Sequence, residues 1–164
     1  MLGLISHLVV ASALSTGGDH TVSLSGHYAS IESHGGGVAL RYTLGLDDFW
    51  NFTTDVAWSG VPGAAALEGT DEAPMQHVLT GSVGILYHLD AFEWVPYLVF
   101  AFEGTGALRT GEADREGLGL QLGGGIDYRG GPRWSVGLGG LWHRVIWGDA
   151  PTHTTWLARV NLHF

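Results

Sequence analysis

The 164 residues suffice for a single domain with its own core, and their formal net charge of -9 argues against a nucleic-acid partner, because binding phosphates requires a basic face. The chain contains no cysteine, which excludes disulfide bonds and thiolate metal sites. Hydrophobic residues form 45% of the chain, yet no uninterrupted apolar run of about 18 residues occurs, which disfavours a membrane-spanning helix.

The N-terminal segment has two interpretations. Residues from Leu2 to Leu14 form an apolar stretch of signal-peptide length, and Ala11-Ser12-Ala13 resembles a small-residue cleavage site, but no Lys or Arg precedes it. We expect residues 1–19 to be an atypical or truncated secretion signal, with an apolar strand or docked terminal segment as the alternative. Residues 20–164 then form the folded domain.

From His20 onward, apolar residues alternate with smaller or polar ones at a period of two, which predicts eight β-strands rather than helices. The predicted apolar faces are, in chain order, Val22, Leu24, Gly26 and Tyr28; Val38, Leu40, Tyr42, Leu44 and Leu46; Trp50, Phe52, Thr54, Val56 and Trp58; Leu79, Gly81, Val83, Ile85 and Tyr87; Trp94, Pro96, Leu98, Phe100 and Phe102; Leu118, Leu120, Leu122, Gly124, Ile126 and Tyr128; Trp134, Val136, Leu138, Gly140 and Trp142; and Trp156, Ala158, Val160, Leu162 and Phe164. The fifth run is apolar on both faces, so its apolar pattern does not show which face points inward. The charged Glu103 is expected in the lumen, which assigns its face to the inside.

The connections between these runs alternate in length. Tight turns are predicted at 47–48, 90–93 and 129–133, and longer connections at 59–76, 104–116 and 146–153. The first connection, at 33–36, is short although it lies on the long-loop side. Short turns at one end and long loops at the other are typical of transmembrane β-barrels.

Side-chain size indicates which face is the inside. Trp, Leu, Tyr and Phe occupy one face, and this bulk would overfill an eight-stranded lumen, whereas Gly, Ser, Thr and Ala on the other face would fit. Aromatic residues near strand ends also suit a membrane interface; they are Trp50, Trp58, Tyr87, Trp94, Tyr128, Trp134, Trp142 and Trp156. The alternative is a soluble, lipocalin-like ligand-binding barrel, which would have the same periodicity with its apolar face inside.

The last strand carries the most specific local pattern. Its outward residues, Trp156, Ala158, Val160, Leu162 and Phe164, end on a carboxy-terminal Phe. This pattern resembles the sorting signal of outer-membrane barrels, and residues 20–164 resemble the small barrels typified by OmpA's membrane domain, OmpX and OmpW. The resemblance implies an all-β, eight-stranded antiparallel up-and-down transmembrane β-barrel, monomeric, in the bacterial outer membrane. It also implies outer-membrane lipids and the barrel-assembly machinery as partners.

Five charged residues are predicted to face the lumen: Arg41, Asp55, Glu103, Asp127 and Arg159. Buried ions need partners, so we expect a structural ladder of ion pairs that fills a closed lumen; the alternative is a gate or an ion path. Four histidines are also predicted inward, namely His27, His88, His143 and His163. They lie on different strands without a ligand motif, so we predict no metal and no cofactor.

The enzyme alternative rests on resemblance. Lipid A deacylases and palmitoyl transferases belong to a similar class of barrel and use a His and a Ser at the rim. Here His153-Thr154-Thr155 lacks a Ser, and Ser135 and His143 are too far apart along one strand to pair, so we predict no catalytic residues. The predicted function is an integral outer-membrane barrel with a structural, surface-interaction or small-solute role.

The acid-rich long connections could bind calcium or a surface partner, but their spacing lacks an EF-hand pattern and favours solvated loops. The residues concerned are Glu68, Asp71, Glu72, Glu112, Asp114 and Glu116.

Parity predicts one contact in detail. Outward residues are even-numbered in both the second and the third run. Residues that lie directly opposite each other on neighbouring strands point to the same face, so the two numbers of each pair must add up to an even number. A turn centred on Asp48 pairs Leu44 with Phe52 on the outside. The same register places Arg41 opposite Asp55 in the lumen.

Overall fold

The computed structural model describes residues 19–30, 34–62, 75–89, 93–109, 115–150 and 152–164. They form eight strands: β1 (His20–Ser30), β2 (His34–Gly45), β3 (Trp50–Pro62), β4 (Met75–His88), β5 (Trp94–Arg109), β6 (Arg115–Gly131), β7 (Trp134–Gly148) and β8 (His153–His163). Each strand is antiparallel to the next, and β8 pairs with β1 to close the barrel. The predicted fold is confirmed. The predicted signal at residues 1–19 lies outside the described residues, except for Asp19.

Within the described residues, no helix is long and apolar enough to cross a membrane.

The predicted β2–β3 register is confirmed. Leu44 faces Phe52, and Arg41 faces Asp55.

A tight turn at 46–49 sets this register. The Asp47 carboxylate accepts the backbone N–H groups of Phe49 at 2.8 Å and of Trp50 at 2.7 Å. These hydrogen bonds, first from Phe49 and then from Trp50, hold the pKa of Asp47 below its ordinary value because they stabilise the ionised form. The side chain thus acts as a local template for the turn.

Several strands extend further than predicted at the long-loop end. Residues 59–62, 104–109, 115–116 and 146–148, all predicted to lie in loops, belong to strands, and so do 34–36. At the other end β6 continues to Gly131. The error has a physical reason. Alternation of apolar residues marks only the part of a strand that contacts lipid, whereas the backbone hydrogen bonds between strands continue past the edge of the membrane.

One irregularity shapes the long-loop end of β7. Gly119 pairs with Val145 but Leu118 pairs with Trp147, so Ile146 is an extra residue in a β-bulge. Gly148 then adopts φ +102°, and a Cβ there would collide with the backbone oxygen of Glu116. Glycine is therefore required at this position.

Burial alternates with the predicted parity, with Tyr42 on β2 as an exception at 8% exposed, and shows which face is outside. On β5, Leu98 and Phe102 are each 64% exposed, whereas Val99 is 1% and Ala101 is 0% exposed. The outer surface is consequently a continuous band of Leu, Val, Ile, Phe and Trp side chains. Such a band suits hydrocarbon and not water, so the soluble, lipocalin-like alternative is wrong.

The eight predicted interface aromatics all lie on the outward face. At the short-turn end, Trp50 packs on Tyr87 with ring centroids 4.8 Å apart, and Trp94 packs on Tyr128 at 4.9 Å. Trp134 lies at the same end, at the start of β7. The remaining three, Trp58, Trp142 and Trp156, lie toward the long-loop end.

The lumen also holds larger side chains than the small ones expected from most strands. Val99, Leu141 and Leu157 form a buried cluster inside the barrel. Tyr97 is also buried, and a Cβ added at Gly139 would meet its hydroxyl and its ring. The glycine provides the space that lets an aromatic ring fit in a narrow barrel.

Candidate functional site: the polar lumen

Arg41 and Asp55 form a buried ion pair across β2 and β3. Arg41 Nη2 donates to Asp55 Oδ2 at 3.0 Å, and the Ser82 hydroxyl donates to the same oxygen at 2.7 Å. The two charged side chains are 8% and 4% exposed, so each charge compensates the other away from bulk solvent. The structure thus brings these two predicted residues together.

Asp127 and Arg159 form a second ion pair, on β6 and β8, which are separated by β7. Arg159 donates to both carboxylate oxygens, at 3.0 Å from Nε and 2.7 Å from Nη2, and Asn161 adds a bond at 3.1 Å. The pair crosses β7 at Gly137, where a Cβ would collide with the Asp127 carboxylate. The guanidinium also lies 3.9 Å from the centroid of the Tyr97 ring.

Glu103 pairs with a histidine rather than with either lumen arginine. Its Oε2 lies 2.6 Å from His143 Nδ1, and the two side chains are 1% and 5% exposed. The His143 ring stacks on His153 with centroids 4.1 Å apart and an interplanar angle of 3°. Sequence reasoning placed both Glu103 and His143 inside but missed the contact, because β5 and β7 are not neighbouring strands.

Two serine–histidine hydrogen bonds form in the lumen, and the sequence analysis did not foresee them. Ser135 Oγ lies 3.1 Å from His163 Nε2, and Ser59 Oγ lies 2.7 Å from His27 Nε2. His163 Nδ1 contacts the Thr21 hydroxyl at 2.9 Å, the position at which a hydrolytic triad has a carboxylate. The sequence analysis missed these contacts because it considered only partners along one strand and not partners across the barrel.

The middle of the lumen is nearly solid. The cavity between the ion pairs and the aliphatic cluster has a volume of about 30 Å³, enough for a water molecule, and Arg41, Gln121 and His143 contribute to its wall. Toward the short-turn end, the lumen widens into an open vestibule of about 1450 Å³ lined in part by Ser135 and His163. Water can enter the lumen from the short-turn end but is stopped by the packed side chains in the middle of the lumen.

No group of three or more His, Asp or Glu residues in the described ranges is arranged to hold a metal ion. His88, one of the four inward histidines, contacts the Asn51 amide at 3.0 Å. Of the acidic residues predicted in the long connections, only Glu116 is among the described residues.

The terminal residues lie where predicted, with Trp156, Ala158, Val160 and Leu162 on the outward face of β8 and the exposed Phe164 directly after the strand. Phe164 also exchanges backbone hydrogen bonds with His20, at 2.9 and 3.3 Å, so the last residue contributes to barrel closure. Its role as an assembly signal stays a prediction.

A closed eight-stranded barrel with an apolar exterior and a packed polar lumen is the architecture of the small outer-membrane β-barrel proteins. Comparison with solved structures finds the same fold in neisserial surface protein A, at 16% identity and a TM-score of 0.69 over 91% of this chain and 98% of that one. Ail of Yersinia pestis, solved with the heparin analogue sucrose octasulfate, matches at 13% identity and a TM-score of 0.62 over 91% and 100%.

An enzyme shares the fold as well. The outer-membrane enzyme PagL matches at 13% identity and a TM-score of 0.56, over 85% of this chain and 97% of that one. No protein-family model and no curated protein sequence matches the chain. The fold and the apolar exterior together assign the chain to the bacterial outer membrane.

Proposed function

We propose that the protein is a non-conducting outer-membrane barrel whose function is structural or resides on its outer surface, and that it neither transports solutes nor catalyses a reaction. The observation that carries this proposal is the packed middle of the lumen. There, the Arg41–Asp55 pair and the Val99, Leu141 and Leu157 cluster leave a cavity of only about 30 Å³.

The partners follow from the same proposal. Outer-membrane lipids contact the apolar exterior, and the barrel-assembly machinery recognises the last strand during biogenesis. The protein works as a monomer, because every strand edge is already paired within one chain.

Conductance measurements test the closed lumen. Purified protein inserted into planar lipid bilayers should give no stepwise current, and liposomes containing it should not swell in isotonic arabinose. A variant with Leu141→Gly and Leu157→Gly serves as the matched comparison, because it removes aliphatic volume while leaving in place the two arginine–carboxylate ion pairs and the Glu103–His143 hydrogen bond. Discrete current steps from the unaltered protein would overturn the proposal.

A second candidate is hydrolysis, and the Ser135–His163 hydrogen bond beside the open vestibule favours it. Against it, Ser135 is only 3% exposed, and Asn161 already donates to its Oγ at 2.8 Å. A fluorophosphonate probe distinguishes the two functions: we expect no labelling of the folded protein. Labelling that disappears in Ser135→Ala but persists in Ser59→Ala would establish the hydrolase and refute the non-catalytic proposal.

A further inference from the structure

Among the side chains that the structure describes, one arginine stands on the lipid-facing side of the barrel. Among the arginines whose side chains the structure describes, Arg41 and Arg159 lie in the lumen, and Arg129 and Arg133 lie at the short-turn end. Arg144 differs, because it occupies an exposed, outward position on β7 opposite Leu120. An exposed guanidinium on an otherwise apolar surface is complementary to an anion from outside the protein.

The depth of Arg144 can be worked out along β7. It lies ten residues beyond Trp134, the aromatic residue at the short-turn end of the same strand. With a rise of about 3.3 Å per residue and a tilt of about 40°, this separation spans roughly 25 Å, the height of the apolar band of an outer-membrane barrel. The guanidinium therefore lies at the outer interface, at the level of lipid headgroups, and not in the hydrocarbon.

The contacts of Arg144 leave its hydrogen-bond donors free for a ligand. Its guanidinium lies 5.9 Å from the centroid of the Trp142 ring, and it forms no ion pair with any described residue. Glu116, the one acidic residue at an outward strand position in the described ranges, is four residues further out than Leu120, or about 13 Å along β6.

Two large side chains, one in the bulge and one directly after it, extend this surface. Trp147 is 75% and Ile146 is 66% exposed, and both follow the guanidinium on β7. The extra residue in the bulge shifts the alternation by one position, so that odd-numbered residues face outward after it. Trp147 therefore lies on the same outer face as Trp142. Along β7, the cation of Arg144 thus lies between two outward tryptophan positions, 142 and 147.

We propose that Arg144, with Trp142 and Trp147, binds the phosphate of an anionic glycolipid of the outer leaflet, of the lipid A type. The planar guanidinium matches a phosphate through paired hydrogen bonds. The indole rings pack on the sugar and the upper acyl chain. A lipid headgroup is favoured over free phosphate, because the site has no enclosing wall and its remaining surface is apolar.

Lipid titration tests the site. Protein folded in dodecyl maltoside is titrated with bisphosphorylated lipid A, and bound lipid is counted by native mass spectrometry. We expect Arg144→Gln to weaken binding about tenfold, in keeping with the loss of one charge-assisted contact. Arg144→Lys should bind with intermediate affinity. Arg133→Gln removes the same charge from the other end of the barrel and should bind like the unaltered protein.

The source of the phosphate and the folding of the variants are controlled separately. A shift in gel mobility between unheated and boiled samples confirms that each variant is folded. Equal binding of lipid A by Arg144→Gln and by the unaltered protein would overturn the proposal. Equal binding of a phosphate-free glycolipid would overturn it too, and so would displacement of lipid A by inorganic phosphate at millimolar concentration.

Discussion

Removing either member of the Arg41–Asp55 pair should destabilise the barrel, and the two substitutions should not cost the same. In Asp55→Ala, the guanidinium loses the carboxylate that is its hydrogen-bond acceptor. In Arg41→Ala, the remaining carboxylate still accepts the Ser82 hydroxyl at 2.7 Å. The stranded arginine should therefore be the more costly outcome.

The magnitudes follow from burial. Breaking a buried ion pair by removing one partner costs about 3 to 5 kcal/mol, and both side chains are less than one tenth exposed. We expect Asp55→Ala to lie near the upper end of this range and Arg41→Ala near the lower end, because the bond from Ser82 offsets part of the loss. The free energy of unfolding lost by the double variant should be about 1 to 3 kcal/mol smaller than the sum of the losses in the two single variants.

Urea unfolding from lipid vesicles, followed by tryptophan fluorescence, gives the four free energies of this cycle. Thr43 and Thr53 supply the matched control, since their hydroxyls lie 3.4 Å apart on the same two strands without charge. Their cycle should show coupling well below that of the ion pair. Strictly additive losses for Arg41 and Asp55 would show that the two side chains do not stabilise each other, and would refute the predicted coupling in spite of the short distance between them.

Three further predictions concern the exterior, the terminus and the glycine-lined interior. Brominated lipids should quench single-tryptophan variants that retain Trp50 or Trp156, and quenching by aqueous acrylamide instead would place these rings in water. Deleting Phe164 should reduce the amount of barrel in the outer membrane while refolding in detergent stays largely intact; equal loss in both settings would point to packing alone. Gly139→Ala should lower the free energy of unfolding by about 1 to 3 kcal/mol, because the new methyl group meets the Tyr97 ring, and Tyr97→Phe in the same background should recover part of the loss by removing the hydroxyl.

The sequence was sufficient for the facing of each strand and for contacts across a tight turn. Period-two alternation depends only on neighbouring residues, so Leu98 outside and Val99 inside follow from parity. The Arg41–Asp55 contact was predictable for a similar reason. Four turn residues separate β2 from β3, and that turn fixes the register.

Contacts between strands that are not neighbours were beyond sequence reasoning. The Glu103–His143 contact joins residues 40 apart in the sequence, and the Asp127–Arg159 pair joins residues 32 apart. Both depend on the curvature of the closed barrel, and the second depends also on a small residue in the intervening strand. Gly137 is such a residue, and nothing in its own sequence neighbourhood indicates which carboxylate will pass over it.

The unequal strand lengths have a practical consequence for display of peptides on cells. β5 and β6 contain 16 and 17 residues, whereas β1 and β8 contain 11 each. The longest strand therefore exceeds the shortest in length by about 20 Å. A foreign epitope inserted between Arg109 and Arg115 would start and end on the longest hairpin, where antibodies meet the least obstruction from surrounding lipopolysaccharide. The same epitope between β1 and β2 would begin on shorter strands, closer to the sugar layer, and would be bound less well by antibody.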